Sequence, residues 1–330
     1  MIEDWERILQ NEPSFRRKQV KEAVFQRLVS DWEEATNLPK QLKEKLKREA
    51  PLEIKGEVQE SQESNTAKAV IFLSDEQSIE TVLMQHGNRN TVCVSTQIGC
   101  NLGCDFCLTG GMGLVRNLQA EEIVDQVLFF ARELKKKEQN ITNIVFMGMG
   151  EAFLNYDEVM RAVRILNQDM NIGARKISIS TVGIVSGIEK LASEPEQVNL
   201  AVSLHAPNNK LRDRLMPVNK QYPLEKLLPA IENYIQKTRR KVMIEYLMLS
   251  GINDSEEQAR ELAQLLQNNL SDTLVVNLIS YNPTDKYRSS SSGQINRFKQ
   301  ILEDSGIPAV QRYKFGRDIK GACGQLSNEK

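Results

Sequence analysis

From residue 91 onward, short apolar segments alternate with amphipathic segments of helical periodicity, and this alternation restricts the possible folds more than any other feature. The six predicted strands are Val92–Gln97, Asn143–Met147, Lys176–Thr181, Val198–Leu204, Val242–Leu249 and Leu274–Ser280. The predicted helices span 120–136, 157–168, 186–193, 224–237, 255–269 and 292–305. Serial β/α units form parallel strands with right-handed crossovers. We therefore expect an α/β fold whose six units close, or partly close, into a barrel.

Smaller parts are predicted on either side of this core. The parts are an N-terminal helical accessory domain (1–53), a β extension (54–85), the core barrel (86–316) and a C-terminal loop (317–330). The first is helical because Trp5, Ile8 and Leu9 recur at helical spacing. Basic residues of the helix expected at 41–48 are explained by a solvated helix face or by contact with RNA. The sequence alone leaves both explanations open.

The composition favours a globular protein of the cytoplasm. The chain has 330 residues, of which 40% are hydrophobic and 26% are charged, as in ordinary globular domains. Met1 leads into a polar segment that does not resemble a signal peptide, and no apolar run approaches the ~18 residues of a membrane span. We therefore expect no membrane partner. The net charge of −1 provides no general argument for nucleic-acid binding, so that argument depends on local patches.

Three cysteines, Cys100, Cys104 and Cys107, lie within eight residues at C-x3-C-x2-C spacing. Thiolates bind soft metals, chiefly zinc and iron–sulfur clusters. Three thiolates can hold three irons of a [4Fe–4S] cluster and leave the fourth iron open, as a catalyst requires. A zinc site with three cysteines and one histidine is an alternative, although neither His86 nor His205 has zinc-finger spacing from the cysteines. Burial of the thiols as small apolar side chains is a third interpretation.

Small polar or acidic side chains follow several predicted strands, at the ends where barrel enzymes hold their working residues. These residues are Gly150, Glu151, Ser180, Ser203, His205 and Asn282. A glycine such as Gly150 lets a ligand approach the backbone, and Glu151 can accept hydrogen bonds from an ammonium group. A lone histidine such as His205 is more often structural than catalytic. Taken together, the strand ends predict a ligand pocket at one rim of the barrel.

Two further cysteines, Cys93 and Cys323, lie far apart in the sequence. Cys323 stands between small residues in Gly321-Ala322-Cys323-Gly324, so its thiol is sterically free to act as a nucleophile. A thiol without a role near the end of the chain fits the sequence equally well. Local spacing therefore assigns a function to neither cysteine.

Many of these motifs occur together, in this order, in one known family. They include Glu80-Thr-Val-Leu83, Cys93-Val-Ser-Thr-Gln-Ile-Gly-Cys100, Arg116-Asn-Leu118, Phe146-Met-Gly-Met-Gly-Glu151, Ser178-Ile-Ser-Thr-Val-Gly183, Ser203-Leu-His-Ala-Pro207, Tyr281-Asn-Pro283 and Ala322-Cys-Gly-Gln-Leu326. On these residues the chain resembles the RlmN/Cfr family of radical-SAM RNA methyltransferases, nearly from end to end. The resemblance implies a partial (β/α)6 radical-SAM barrel with an N-terminal helical domain that contacts RNA.

The resemblance also implies a role for each matched residue. Cys100, Cys104 and Cys107 would ligate one [4Fe–4S] cluster. The residues that would contact S-adenosylmethionine are Gly150, Glu151, Ser180, Ser203, Leu204, His205 and Asn282. Cys323 would carry the methyl group, Cys93 would be its resolving partner, and Glu80 would be a general base.

The implied reaction is a ping-pong methylation that uses two molecules of S-adenosylmethionine per turnover. The first methylates Cys323, and the second generates a radical that converts the S-methyl group into a methylene radical, which adds to adenine C2. The implied substrates are an adenosine in the peptidyl-transferase centre of 23S rRNA and the adenosine 3′ of the anticodon in tRNA. An electron donor such as flavodoxin or ferredoxin would reduce the cluster, and the protein would be a monomer.

Two other functions remain open on sequence grounds. The C8 branch of the same family methylates C8 of the same rRNA adenosine and confers antibiotic resistance. It usually has alanine after the Gly-Glu pair, where the C2 branch usually has proline, and this chain has Ala152. The other motifs favour the C2 branch. The second alternative is a non-catalytic, metal-cluster RNA-binding protein in which Cys323 is incidental.

Overall fold

The computed structural model describes residues 2–283, 286–313 and 315–326, so the last four residues of the predicted C-terminal loop lie outside the described residues. The strands are β1 (Gly56–Glu60), β2 (Thr66–Phe72), β3 (Ser78–His86), β4 (Arg89–Cys93), β5 (Gln97–Cys100), β6 (Gly113–Asn117), β7 (Asn143–Phe146), β8 (Ile177–Thr181), β9 (Asn199–Ser203), β10 (Val242–Met248), β11 (Leu274–Ser280) and β12 (Ala309–Gln311).

The α-helices surround these strands. They are α1 (Ile2–Ile8), α2 (Ser14–Lys21), α3 (Lys40–Glu49), α4 (Ala120–Lys135), α5 (Tyr156–Gln168), α6 (Val185–Leu191), α7 (Asn209–Leu215), α8 (Leu224–Thr238), α9 (Glu256–Asn269) and α10 (Ser292–Asp304). Within the described part of the chain, no helix is both long enough and apolar enough to cross a membrane.

Among the described residues, ten strands form one sheet in the order β1-β2-β3-β4-β7-β8-β9-β10-β11-β12, and β5 pairs with β6 in a separate hairpin. From β4 to β12, neighbouring strands run parallel. This arrangement confirms the predicted series of β/α units, and the six predicted helices correspond to α4, α5, α6, α8, α9 and α10. The short elements β12 and α7 were not predicted, because three and seven residues are too few to show a clear periodicity.

The predicted strand Val92–Gln97 is wrong at its carboxyl end. Strand β4 ends at Cys93, although the chain remains bonded to the segment after β7, where the Thr96 amide donates to the Met149 carbonyl at 2.9 Å. Gln97 then begins the β5–β6 hairpin. The apolar run continues through this change of partner, so hydrophobicity alone does not reveal where the strand ends.

The β extension continues the core sheet. Strands β1, β2 and β3 are antiparallel, and β3 joins the parallel part through β4. In that junction Val82 lies opposite Cys93. The extension therefore supplies one wall of the region around Cys93. The domain boundaries themselves stay a prediction.

The N-terminal helices pack around three aromatic side chains. The Trp5 ring lies 5.6 Å from the Phe25 ring and 6.3 Å from the Trp32 ring, measured between centroids. Arg132 on α4 donates to two backbone carbonyl oxygens of this region, at 2.8 and 2.9 Å. Because these bonds satisfy polar groups at the junction, the helices are attached to the core by packing and by hydrogen bonds.

Candidate active site

The three-cysteine motif begins at the end of β5 and continues into the loop that leads to β6. Gly99 (φ +75°) and Gly103 (φ +63°) have left-handed backbone conformations, which glycine adopts without steric cost, so the loop turns sharply at both points. Cys100 and Cys104 are buried and Cys107 is partly buried. Burial raises the pKa of the Cys100 and Cys104 thiols. All three thiols line one pocket.

The donor set fits an iron–sulfur cluster. Within the described ranges, no three His, Cys, Asp or Glu side chains lie close enough together to hold a single metal ion. The three soft sulfur donors instead share a common pocket and form no disulfide. Desolvation favours the protonated forms of Cys100 and Cys104 in the absence of metal, so binding of a cluster would be coupled to proton release.

The pocket lies at the carboxyl ends of the parallel strands, and most of the predicted ligand-contacting residues line it. These are Gly150, Glu151, Ser180, Ser203, His205 and Asn282, together with Cys93 and Cys323. Gly150 has φ +94°, and a Cβ atom there would lie 2.5 Å from the Cβ of Gln97. No other residue fits at this position without displacing the hairpin that holds the cysteine loop.

Glu151 is buried, and its carboxylate is held by the backbone. Oε1 accepts from the Phe153 amide at 3.1 Å, and Oε2 accepts from the Val182 amide at 2.8 Å. Burial raises the pKa of Glu151 to about 7, although these hydrogen bonds favour the ionised form. The result is a fixed carboxylate on a pocket wall, which gains its charge most readily when a cation binds beside it.

His205 is buried and neutral. Its Nδ1 accepts a hydrogen bond from the Leu247 amide at 3.1 Å, so the proton of the neutral ring lies on Nε2. Burial lowers the pKa of His205 to about 3. The Phe106 ring packs edge-on against it, with centroids 5.0 Å apart. His205 is therefore suited to donate a hydrogen bond and not to act as a base near neutral pH.

Arg212, which sequence reasoning missed, connects the strand ends. Its guanidinium is fully buried and donates to the carbonyl oxygens of Val182 at 2.6 Å, Ser203 at 3.3 Å and Leu204 at 3.3 Å. Another nitrogen donates to Asn219 Oδ1 at 2.7 Å. Arg212 thereby holds the turns after β8 and β9 together. Bonds to backbone carbonyls carry no sequence motif, so no local signal points to this role.

The C-terminal loop brings Cys323 to the cysteine motif. The Leu108 amide donates to the Gly324 carbonyl at 2.9 Å, and Thr109 Oγ1 donates to the Leu326 carbonyl at 2.5 Å. On the other side of the loop, the Asp318 carboxylate accepts from Ser61 Oγ at 2.6 Å and from the Gln62 backbone amide at 2.7 Å. Backbone and side-chain bonds therefore fix the loop without using the thiol.

Cys93 and Cys323 line the pocket together with Arg312, a second residue that sequence reasoning missed. The Arg312 guanidinium lies 3.4 Å from Oε2 of the buried Glu245 and 3.5 Å from Sδ of Met147. Burial and the nearby Cys323 charge raise the pKa of Cys93 to about 12. Cys323 is exposed, but the packed surroundings of its sulfur raise its pKa, and Arg312 opposes that rise. This cation favours the thiolate form of both cysteines.

Two predicted site residues lie outside the pocket lining. Glu80 is buried on β3, where its Oε1 lies 2.8 Å from Nζ of Lys68. Leu204 is fully buried and presents its carbonyl to Arg212. The roles implied for Glu80 as a base and for Leu204 as a ligand contact stay predictions. Ser203 and His205, which flank Leu204 in the sequence, do line the pocket.

The basic helix α3 is partly neutralised by its own domain. Lys43 lies 2.8 Å from Glu33, and Lys47 lies 3.2 Å from Asp31. These ion pairs are exposed, so each contributes little to stability. They agree with the interpretation of α3 as a solvated face. An RNA contact by this helix stays a prediction.

Two protein families match the sequence. Residues 94–263 match the Radical SAM superfamily, and residues 7–52 match the ribosomal RNA large subunit methyltransferase N-terminal domain. A protein from Dictyoglomus thermophilum, named probable dual-specificity RNA methyltransferase RlmN, is 46% identical over 319 residues, which cover 96% of this chain and 91% of the relative. The chain belongs to the RlmN family of radical-SAM RNA methyltransferases.

Other relatives are similarly close. The ribosomal RNA large subunit methyltransferase N of Nitrosopumilus maritimus is 44% identical, with 96% of this chain and 93% of the relative covered. A radical SAM methyltransferase crystal structure from Sphaerobacter thermophilus superposes with a TM-score of 0.94 at 45% identity, covering 100% of this chain and 98% of that one. Membership of the Radical SAM superfamily implies a [4Fe–4S] cluster and S-adenosylmethionine.

A more distant match concerns the fold alone. The [FeFe]-hydrogenase maturase HydG superposes with a TM-score of 0.51 at 12% identity, over 73% of this chain and 56% of that chain. The Radical SAM match and the Sphaerobacter structure confirm the radical-SAM barrel that the resemblance implied, and the HydG match agrees with the barrel fold.

Proposed function

We propose that this RlmN-family enzyme methylates C2 of an adenosine in the peptidyl-transferase centre of 23S rRNA, with the adenosine 3′ of the anticodon in tRNA as a second substrate. The observation that carries the proposal is the presence of five cysteines in one pocket: the three-cysteine motif, Cys93 and Cys323. A structural metal site does not require the last two. The words "dual-specificity" in the names of relatives support two RNA substrates.

In this proposal Cys100, Cys104 and Cys107 hold the cluster, and Glu151 accepts hydrogen bonds from the ammonium group of S-adenosylmethionine. When bound, these two cofactors supply the methyl group and the one-electron chemistry that reaches an electron-poor ring carbon. His205 donates a hydrogen bond through Nε2 to S-adenosylmethionine and does not act as an acid or a base. The backbone-held strand ends position the cofactor and exclude water from it.

The two remaining cysteines act in sequence. The Cys323 thiolate, favoured by Arg312, accepts a methyl group and then presents it to the adenine. Cys93 stays protonated while it is buried, because its pKa is about 12. The Cys93 thiol loses its proton as its sulfur bonds to the Cys323 sulfur. The bond between Cys323 and the methylene carbon of the product breaks, its electron pair stays on that carbon, and uptake of a proton there completes the methyl group. External reduction of the resulting disulfide restores both thiols. Apolar side chains around Cys93 (Val82, Val145 and Met149) shield this exchange from water.

The position of Ala152 removes the sequence argument for C8 as the target atom. Ala152 is the first residue of the helical turn Ala152–Asn155, for which Glu151 is the N-cap. Proline and alanine are both accommodated at this first position. The side chain of Ala152 is buried and does not line the pocket. The exchange of proline for alanine therefore leaves the surroundings of the adenine unchanged.

Nucleoside mass spectrometry tests the proposal. The anaerobically reconstituted protein would be incubated with 23S rRNA or tRNA, S-adenosylmethionine and reduced flavodoxin or ferredoxin. We expect 2-methyladenosine in both RNAs. Production of 8-methyladenosine would move the enzyme to the C8 branch. If neither product forms in a protein with four irons per chain, neither of these two RNAs contains the substrate and the proposal fails.

Glu151→Gln is expected to weaken binding of S-adenosylmethionine and to remove its pH dependence between about pH 5.5 and pH 7. Glu151, with a pKa of about 7, is mostly protonated at the lower end and ionises as the pH rises. Only the ionised form pairs with the ammonium group, so wild-type affinity should rise about tenfold across this interval.

Isothermal titration calorimetry of the reconstituted protein measures this effect. The matched control is Asp157→Asn, which removes an exposed carboxylate at the start of α5. This control should behave as wild type. A wild-type pH slope in Glu151→Gln would exclude Glu151 as the ammonium partner.

A further inference from the structure

Three aromatic side chains from distant parts of the chain meet at the surface. His86 ends β3, whereas Tyr313 and Phe315 follow β12. The His86 and Tyr313 rings are stacked, with centroids 3.9 Å apart and planes inclined by 36°. The Phe315 ring lies 6.4 Å from each of them. We call these three residues the aromatic cluster.

Two of the three residues of the aromatic cluster line the active-site pocket. Tyr313 and Phe315 line the pocket that contains Cys323, and so does Met84, which shares a face of β3 with His86. The Tyr313 side chain is 68% exposed even in this stack. An aromatic face left this open contributes little to folding, so its position at the pocket entrance calls for a ligand.

Two exposed arginines adjoin the aromatic cluster, one in the strand register and one in the sequence. Arg89 lies opposite His86 in the strand register, across the β3–β4 turn. Arg317 lies two residues beyond Phe315. Neither guanidinium forms an ion pair with a described residue. Unpaired arginines beside aromatic rings are the combination that binds single-stranded nucleic acid, since the rings stack on bases and the cations contact phosphates.

We propose that the aromatic cluster is a stacking platform for the unpaired nucleotide next to the target adenosine. This inference rests on the proposed function, because the target base must leave its helix to reach Cys323. Its neighbour then loses a stacking partner, and the exposed face of Tyr313 replaces that partner at the pocket entrance. Arg89 and Arg317 contact the adjoining phosphates. The platform is insensitive to base identity, since every base has an aromatic face.

Three substitutions at one position separate stacking from simple packing. Tyr313→Phe keeps the ring, Tyr313→Leu keeps apolar bulk without a ring, and Tyr313→Ala removes both. Phe72→Ala is the matched control, because Phe72 is also exposed but is remote from His86. Phe72 ends β2 and lies opposite Ser78, the first residue of β3, whereas His86 is the last. Each variant would be reconstituted with cluster and checked for unchanged thermal unfolding.

The probe is an RNA stem-loop that contains the target adenosine, with 2-aminopurine placed at the 5′ or the 3′ neighbour. We expect Tyr313→Ala and Tyr313→Leu to raise Kd roughly tenfold and to relieve the fluorescence quenching at one neighbour. Tyr313→Phe and Phe72→Ala should match wild type. A Tyr313→Leu variant with wild-type Kd and quenching would overturn the platform.

The same samples separate failure of this inference from failure of the proposed function. If wild-type protein forms 2-methyladenosine and Tyr313→Leu binds the stem-loop normally, only the platform is wrong. If wild-type protein forms no methylated adenosine, the proposed function fails. If the wild-type protein forms no product but quenches 2-aminopurine fluorescence, and Tyr313→Leu does not, the aromatic cluster is still an RNA-stacking surface.

Discussion

Cys323→Ser is expected to reduce RNA methylation by at least about 10³-fold while leaving RNA affinity unchanged. A serine hydroxyl is a much weaker nucleophile than a thiolate and is not ionised by a neighbouring arginine. Removal of a covalent nucleophile typically costs several orders of magnitude in rate. The fold should persist, because Gly324, Leu326 and Asp318 anchor the loop through bonds that do not involve the thiol.

Cys93→Ala is the matched control for this prediction. This variant keeps the Cys323 nucleophile, so intact-protein mass spectrometry should still show a methyl group on Cys323. Without a resolving thiol, it should stall with RNA covalently attached to the protein, visible as a slow band on a denaturing gel. Full methylation by Cys323→Ser would exclude the methyl-carrier role of Cys323.

Arg212→Leu is expected to lower the free energy of unfolding by about 3–5 kcal/mol. The guanidinium has no exposed surface, and it satisfies carbonyl oxygens after both β8 and β9. Leucine fills part of the volume but donates no hydrogen bond, so these buried acceptors lose their partner. Burial lowers the pKa of Arg212 to about 10, because desolvation disfavours the charged guanidinium.

Urea unfolding measures this loss as a lower midpoint. Arg212→Lys should recover part of the stability, because an ammonium group reaches fewer of the carbonyls than a planar guanidinium does. Arg175→Leu is the control, since Arg175 is exposed and bonds only to surface groups; its effect should stay within about 0.5 kcal/mol. Wild-type stability of Arg212→Leu would show that Arg212 does not hold the strand ends together.

Much of the site was predictable from the sequence because its signals are local. The C-x3-C-x2-C spacing places Cys100, Cys104 and Cys107 on one loop, and the β/α alternation places Glu151, Ser180 and the other strand-end residues at one edge. Parallel strands carry their carboxyl ends to the same side, so the order of the elements alone brings these groups close together. A pocket at this edge was therefore expected, and the structure has it.

Local patterns could not show which distant residues complete that pocket. The turn at Gln97 depends on a change of pairing partner inside one continuous apolar run. Cys93 and Cys323 line the same pocket only because the C-terminal loop forms hydrogen bonds to the cysteine loop and to the β1–β2 turn.

The sequence by itself determined the strand and helix series, the metal-binding motif and, through its resemblance, the family. The tertiary structure alone decided the positions of Arg212 and Arg312, the stack of His86 on Tyr313, and the exclusion of Glu80 and Leu204 from the pocket lining. The physical reason is the range of the interactions. Helix and strand periodicity depends on residues that are close in the sequence, whereas a guanidinium or an aromatic ring contacts partners that are distant in the sequence and become neighbours only in the folded chain.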